Sequence, residues 1–429
     1  MRELIHKDQL RGHRAIVVGA GRSGLAAARL LDALGAQVVV ADRNPEALAL
    51  ASAQGFAVQA GEHRPEHFAG AQMVVLSPGV PPSALAPLIP QGTLVLGELE
   101  LASWFVTEPV VAVTGSNGKT TTTTVIGRVL ERAGLRVFVG GNIGTPLAEY
   151  VLEGDPAQVL VLEVSSFQLQ TTSRFHPRVG VLLNISPNHL DYHADMEEYT
   201  AAKLRLFQAM TSEDVAVLPL ELKEQMEGLS WLRARRVYVT ALGRFPCPGL
   251  PGAHNQANLE AAFQACRFFG VSEEGFREAV ADFTTLPHRL ETVLEHGGIR
   301  FVDDSKATTL DALAAALRAQ DRPVRLLAGG VFKGGDPACL GDVLQEHCRS
   351  IHLFGASREI FASAWKPLGM EVSWHPRLEE AVAAAIAAAQ PGETVLLSPA
   401  TASFDLFANY KQRGEAFAAA VRAWAQGQR

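Results

Sequence analysis

The chain has 429 residues, 48% hydrophobic and 19% charged, which is ample for buried cores and too long for the usual single domain. A net charge of -7 with no run of like charges excludes a broad basic surface for nucleic acid, so small-molecule partners are expected. Cys247, Cys266, Cys339 and Cys348 form no Cys-x-x-Cys pair, and no apolar leader or apolar run of about 18 residues occurs, so the chain reads as a cytoplasmic protein without membrane insertion, expected as a monomer.

Apolar runs of strand length alternate with alanine- and leucine-rich helical stretches, the pattern of an α/β class built on parallel sheets. Ala15–Val18, Val110–Val113 and Val324–Ala328 each start this pattern afresh, and each is expected to open a separate sheet. Turn-rich breaks near Gly97–Glu98 and Thr285–Pro287 predict domains 1–98, 99–285 and 286–429: Rossmann-like, a central P-loop ATPase type, and Rossmann-like again.

In the first domain, Gly19-Ala20-Gly21-Arg22-Ser23-Gly24 fits G-x-G-x-x-G between a strand and a helix, and Asp42 ends the next strand. Such a loop selects a pyrophosphate with a sugar beside it, which a UDP-sugar carries as well as NAD does. The motif alone does not choose.

In the second, Val110–Val113 runs into Thr114-Gly115-Ser116-Asn117-Gly118-Lys119-Thr120-Thr121 and then into a helix-compatible stretch to Ala133. Glycines let backbone N–H groups wrap a phosphate, Lys119 can reach the outer phosphates, and Thr120 can ligand magnesium. The first glycine of the longer P-loop pattern is replaced by Val113. Glu163 ends the apolar run Val159–Leu162, where either a magnesium ligand or a surface carboxylate is expected. His189 follows the run Val179–Asn184, and Lys203, taken by itself, reads as a helix-surface lysine. Leu290–Val302 predicts new strands, and Glu379–Gln390 a buried or half-buried helix.

Together these stretches resemble the Mur ligase family, which builds the peptide of the bacterial cell-wall precursor. The resemblance also rests on Gly252–Asn258, on Leu286-Pro287-His288-Arg289-Leu290-Glu291 and on Asp303-Asp304-Ser305-Lys306-Ala307-Thr308. The end segment Leu397–Asp405, continuing through Phe407, Asn409-Tyr410 and Gln412-Arg413-Gly414, is similar to that of the branch that adds D-glutamate to UDP-N-acetylmuramoyl-L-alanine. The Asp-Asn-Pro-Arg of the diaminopimelate-adding branch is absent, Asn117 stands where the alanine-adding branch usually has histidine, and folylpolyglutamate synthases lack a separate first domain.

The resemblance implies an ATP-dependent amide ligase working through an acyl phosphate, with two magnesium ions. It assigns Gly115, Ser116, Asn117, Gly118, Lys119, Thr120, Thr121, Asn258, Arg289, Asp304 and Lys306 to ATP. Metal ligation falls to Thr120, Glu163, His189 and a carbamylated Lys203, and catalysis to Lys119, His189, Lys203 and Arg289. Arg22, Ser23, Asp42, Arg43, Ser77, Pro78, Gly79 and Asn142 would hold the UDP-substrate. For D-glutamate the expected residues are Thr308, Lys333, Ser403, Phe404 and Tyr410. Asn188 and Thr309 depart from the family's usual aspartate and asparagine. A non-enzyme UDP-sugar or nucleotide sensor and a dehydrogenase are the competing readings; amino-acid-dependent ATP turnover would exclude the first, and failure to bind NAD the second.

Overall fold

The three apolar runs singled out above fall in three different sheets of a computed structural model, which describes residues 10–153, 156–190, 192–250, 252–284 and 287–427. The expected boundary at Thr285/Leu286, the N-terminal Met1–Asp8 and Asp191 lie outside the described residues. Strands β1 (Arg14–Val18), β2 (Gln37–Asp42), β3 (Ala57–Ala60), β4 (Met73–Leu76) and β5 (Leu94–Gly97) form a parallel sheet ordered β3-β2-β1-β4-β5. The order reverses at β1, so the loop after it lies at the switch point where α/β sheets bind ligands.

The second sheet, also parallel, contains β6 (Val110–Thr114), β7 (Val137–Gly141), β8 (Val159–Glu163), β9 (Val179–Leu182), β10 (Val215–Pro219) and β11 (Arg235–Val239) in the order β11-β10-β9-β6-β8-β7. All five residues of β6 are buried, which explains why the strand is valine-rich without polar alternation. Here β8 and β9 flank β6, and their ends deliver side chains to the loop that follows it.

The third sheet holds β12 (Glu291–His296), β13 (Ile299–Asp303), β14 (Val324–Gly329), β15 (Cys348–Phe354), β16 (Glu371–His375) and β17 (Thr394–Leu397), ordered β12-β13-β17-β14-β15-β16. The run from Val324 is thus its interior, and the sheet begins earlier in the chain with the antiparallel hairpin β12–β13. The hairpin turns on Gly297 and Gly298, both at positive φ (58° and 77°), as a two-residue turn between twisted strands requires. The alanine-rich stretch forms the helix Leu378–Ala388, burying Leu378, Ala381, Val382, Ala385 and Ile386 at helical spacing.

Two compact units result: one comprises Met1–Ile185, Glu197–Leu242 and Ala257–Val280, the other Ser186–Met196, Gly243–Gln256 and Ala281–Arg429. Among the described residues no helix is long and apolar enough to cross a membrane. Within the first unit a single apolar cluster takes in Leu30 and Val75 from the first sheet's side and Ala112 and Leu160 from the second's. The helix Glu98–Ser103 has all six residues buried and contributes Leu99, Leu101 and Ala102 to this cluster. Glu100, 1% exposed, accepts hydrogen bonds from the backbone N–H groups of Ser173 (3.0 Å), Arg174 (2.9 Å) and Phe175 (3.0 Å), the Ser173 hydroxyl (3.1 Å) and the Trp104 indole N–H (3.1 Å). A buried carboxylate so surrounded is stable because its lone pairs are met.

Glu100→Ala strands those donors, at ~1–3 kcal/mol for each that finds no water. A net loss of ~3 kcal/mol predicts a melting midpoint lower by ~6–12 °C in a thermal scan; a shift within ~2 °C would show that the staple is dispensable.

Candidate functional site

The loop after β6 is shaped by glycines that nothing larger could replace. Gly118 has φ 84°, and a Cβ there would lie 2.6 Å from the Asn258 side-chain oxygen. Gly115 has φ 154° and packs against Leu183. The loop is then braced from β9: the Ser116 N–H donates to the Asn184 carbonyl (3.1 Å), the Asn117 N–H donates to Asn184 Oδ1 (2.9 Å), and Asn184 Nδ2 returns a bond to the Asn117 carbonyl (3.2 Å). The Ser116 hydroxyl meets the Tyr199 hydroxyl at 2.9 Å. Lys119 and Thr120 open the helix Lys119–Arg132, both half-buried, with Thr121 buried behind them.

Two lysines converge on one oxygen. Lys119 Nζ donates to the carbonyls of Gly115 (2.7 Å) and Ser116 (2.9 Å), and Lys203 Nζ donates to the same Gly115 carbonyl (2.9 Å). Lys203 is 1% exposed, so its reading as a surface lysine is corrected. It lies 4.5 Å from the Tyr199 ring centroid, one helical turn along from it on Met196–Leu204. Burial, then the Lys119 charge, push its pKa well below the ordinary lysine range, with Glu163 acting in the opposite sense. Such an amine gives up its proton more readily than an ordinary lysine.

Glu163, 3% exposed, ends β8 beside this loop. Its Oε1 accepts from Asn142 Nδ2 (2.8 Å), and its backbone carbonyl from the Asn142 N–H (2.8 Å). Its Oε2 is buried without a hydrogen-bond partner. A buried carboxylate oxygen left open beside a phosphate loop has the chemistry a divalent cation would satisfy.

The first glycine loop sorts its glycines differently. A Cβ at Gly24 would lie 1.9 Å from the Gly19 carbonyl oxygen, and one at Gly19 would lie 2.5 Å from the Ser77 hydroxyl, whereas Gly21 faces open space. Gly19 and Gly24 therefore serve the close packing of the turn, and Gly21 leaves room for a ligand. Ser77, half-buried with Pro78, donates to the Gly19 carbonyl (3.1 Å), while Gly79 is exposed. Asp42 accepts from the backbone N–H groups of Ala20 (2.8 Å) and Asn44 (2.8 Å), so both its oxygens already hold the loop. Ser23 is half-buried; the exposed Arg43 pairs with Glu62 (3.3 Å), and the exposed Arg22 with Glu149 (3.3 Å).

The other expected residues belong to the second unit. His189 is half-buried at φ 57°. Arg289 sits between His288 (φ 64°) and Leu290 (φ 47°), two non-glycine residues in left-handed conformation, an uncommon local strain. Asp304 accepts from the Leu290 N–H (3.2 Å) and the Ser398 hydroxyl (2.9 Å), and burial pushes its pKa up to about 7 despite the Arg289 charge. Lys306 Nζ stands 4.0 Å from the Tyr410 ring centroid.

The loops at the ends of β13, β14 and β17 run together. Val331 and Ala402 exchange two backbone bonds of 2.9 Å, which aligns the segments carrying Lys333 and Ser403, and the Ala400 N–H donates to the Ala307 carbonyl (3.0 Å), bringing Thr308 alongside. Ser403 is buried, Thr308, Lys333 and Tyr410 are half-buried, and Phe404 is 73% exposed. Sequence reasoning missed Asn184 and Tyr199. The fourfold spacing of Tyr199 and Lys203 was the available signal.

The family model for the Mur ligase MurD-like N-terminal domain matches residues 13–97, that for the Mur ligase middle domain residues 113–244, and that for the Mur ligase glutamate ligase domain residues 288–401. The UDP-N-acetylmuramoylalanine--D-glutamate ligase of Desulfovibrio desulfuricans is 53% identical over 415 residues, 95% of each chain. The enzyme of the same name from Nitratidesulfovibrio vulgaris is 52% identical over 432 residues, 98% of this chain and 99% of that one. The structure of MurF ligase from Thermotoga maritima in complex with ADP shares the fold, with a TM-score of 0.63 at 17% identity over 99% of this chain and 100% of that one. With each of its three sheets met in order by a family model, and half its residues identical to such relatives along almost the whole length, the chain belongs to the Mur ligase family.

Proposed function

We propose that the chain is an ATP-dependent amide ligase that joins D-glutamate to UDP-N-acetylmuramoyl-L-alanine in the cytoplasm. The observation that carries this reading is the phosphate loop on which two lysine amines converge beside the open, buried oxygen of Glu163. The names borne by relatives with half their residues identical supply the two substrates. Residues 1–98 are assigned to the UDP-substrate, 99–285 to ATP and 286–429 to the amino acid.

A carboxylate is a poor electrophile, so the γ-phosphoryl group passes from ATP to an acceptor carboxylate oxygen and ADP leaves. The amine nitrogen then attacks the acyl carbon, phosphate departs with that oxygen, and the nitrogen loses a proton. Negative charge accumulates on the phosphoryl oxygens, and Lys119 and Arg289 are placed in the role of stabilising it. Thr120, Glu163, His189 and a carbamylated Lys203 are the residues that would hold magnesium, which when bound supplies further neutralisation of that charge. Asn258, Asp304 and Lys306 are assigned to the nucleotide, and Thr308, Lys333, Ser403, Phe404 and Tyr410 to D-glutamate.

The direct test is phosphate release with the UDP-muramoyl-alanine acceptor and a panel of D- and L-amino acids. D-glutamate is expected to support turnover, with oxygen-18 from the acceptor carboxylate appearing in phosphate. Turnover only with L-alanine or a diamino acid would overturn the substrate, and label confined to the peptide would overturn the acyl phosphate.

Because a Cβ at Gly21 would meet no protein atom within 4 Å, Gly21→Val is expected to keep the fold and to obstruct a ligand. An overlap of ~1–3 kcal/mol predicts an acceptor KM raised ~5- to 150-fold with that of ATP unchanged. Equal effects on the two substrates would argue against a UDP site here.

Carbamylation requires a neutral amine, which burial of Lys203 favours. Lys203→Ala should lower kcat by ~100-fold or more, the order lost with one charge-stabilising group. Bicarbonate-depleted wild type should regain activity on adding bicarbonate. A fully active Lys203→Ala enzyme would refute this role.

A further inference from the structure

One buried cation has no part in the assignments above. Arg413 lies in the first turn of the helix Tyr410–Gly427 and is 0% exposed, among the largest wholly buried side chains of the protein. Burying a guanidinium is costly unless its donors are met, and here they are met in an informative way. Nε donates to the Ser305 hydroxyl (3.0 Å), Nη2 to the carbonyls of Ser305 (2.8 Å) and Thr401 (3.0 Å), and Nη1 points to the Gly329 carbonyl (3.5 Å).

These acceptors are carbonyls and a hydroxyl, and they stand on three separate loops. Ser305 follows β13, Gly329 ends β14, and Thr401 follows β17. The same helical turn adds two further ties to the first loop. The Ser305 hydroxyl donates to the Tyr410 carbonyl (2.8 Å), and Gly414 packs so closely that a Cβ would lie 2.2 Å from His288 Nδ1 and 2.5 Å from Asp303 Oδ2. Close fit at Gly330 completes the joint, since a Cβ there would lie 3.1 Å from Arg413 Nη1 and 2.2 Å from the Ala402 carbonyl oxygen.

The tied loops carry Lys306 and Thr308, Lys333, and Ser403. We infer that Arg413 is the positioning residue of the amino-acid site, its rigid planar fork setting the mutual spacing of the three loops whose side chains hold the amino acid. The inference rests on the assignment of those loops to amino-acid binding. A lysine there retains a charge but, as a point donor on a flexible stem, cannot span acceptors on three loops.

Full-length wild type, R413K and R413A are compared in the phosphate-release assay, with amino acid and acceptor varied separately, and by hydrogen–deuterium exchange with and without millimolar guanidinium. R413A is expected to raise the amino-acid KM ~10- to 150-fold, the span of a lost charge-assisted hydrogen bond, and to leave the acceptor KM unchanged. R413K behaves like R413A, guanidinium restores R413A, and exchange rises together in residues 304–308, 330–335 and 400–404. Wild-type KM and exchange in R413A, or a fall in kcat alone that guanidinium does not reverse, would overturn the positioning role. If R413A fails to fold, the same comparison on R413K decides. If the wild type uses another amino acid, the substrate reading fails while the KM comparison proceeds on that amino acid; if it uses none, the exchange pattern alone decides on Arg413.

Discussion

Two lysine side chains sharing the carbonyl oxygen of Gly115 is the arrangement around which the first unit is organised. Like charges brought this close in a buried setting repel, and the repulsion is one cause that drives the Lys203 pKa down. The loop nonetheless holds, because Asn184 and Tyr199 fix Ser116 and Asn117 from outside and Gly115 and Gly118 adopt backbone conformations that side chains resist. The Glu163 carboxylate offsets part of that repulsion, and a polyphosphate brings several more negative charges. The sheet order follows from the same need, since only with β8 and β9 on either side of β6 do Glu163 and Asn184 both reach this loop.

Much of this was legible in the chain as written. Buried parallel strands are apolar on both faces, so β1, β6, β8 and β14 stand out as valine- and leucine-rich runs, and glycines at fixed offsets mark the loops after β1 and β6. Lys203 was not legible by itself. The helix Met196–Leu204 buries Tyr199, Ala202, Lys203 and Leu204, two polar-tipped residues among them, and no amphipathic stripe separates an inner from an outer face. Asp42 was legible as a strand-end carboxylate, but its engagement with the Ala20 and Asn44 N–H groups depends on how the turn closes, which no spacing rule reports. For Arg413 the partners lie 108, 84 and 12 residues away, and only the packed third sheet brings them within reach.

The three sheets illustrate how little a shared architecture decides. Each places its candidate residues beyond the carboxyl ends of its strands, as open α/β sheets do. The chemistry differs because the loops differ: an extended glycine facing open space at Gly21, a lysine pair at Gly115, and a guanidinium hub at Arg413. Function is set in those few side chains and not in the layers beneath them.

The Glu100 staple carries a lesson about mutational freedom. Three of its five donors are main-chain N–H groups, which every residue but proline supplies. The joint between the first two sheets therefore constrains one side in identity and the other chiefly in path. Arg174 can drift to almost any residue without loosening it, as long as the backbone keeps its course, while at position 100 even the shortening of glutamate to aspartate withdraws the acceptor. Sequence variation across such a joint should be lopsided, with the segment that receives the staple looking like an ordinary variable loop.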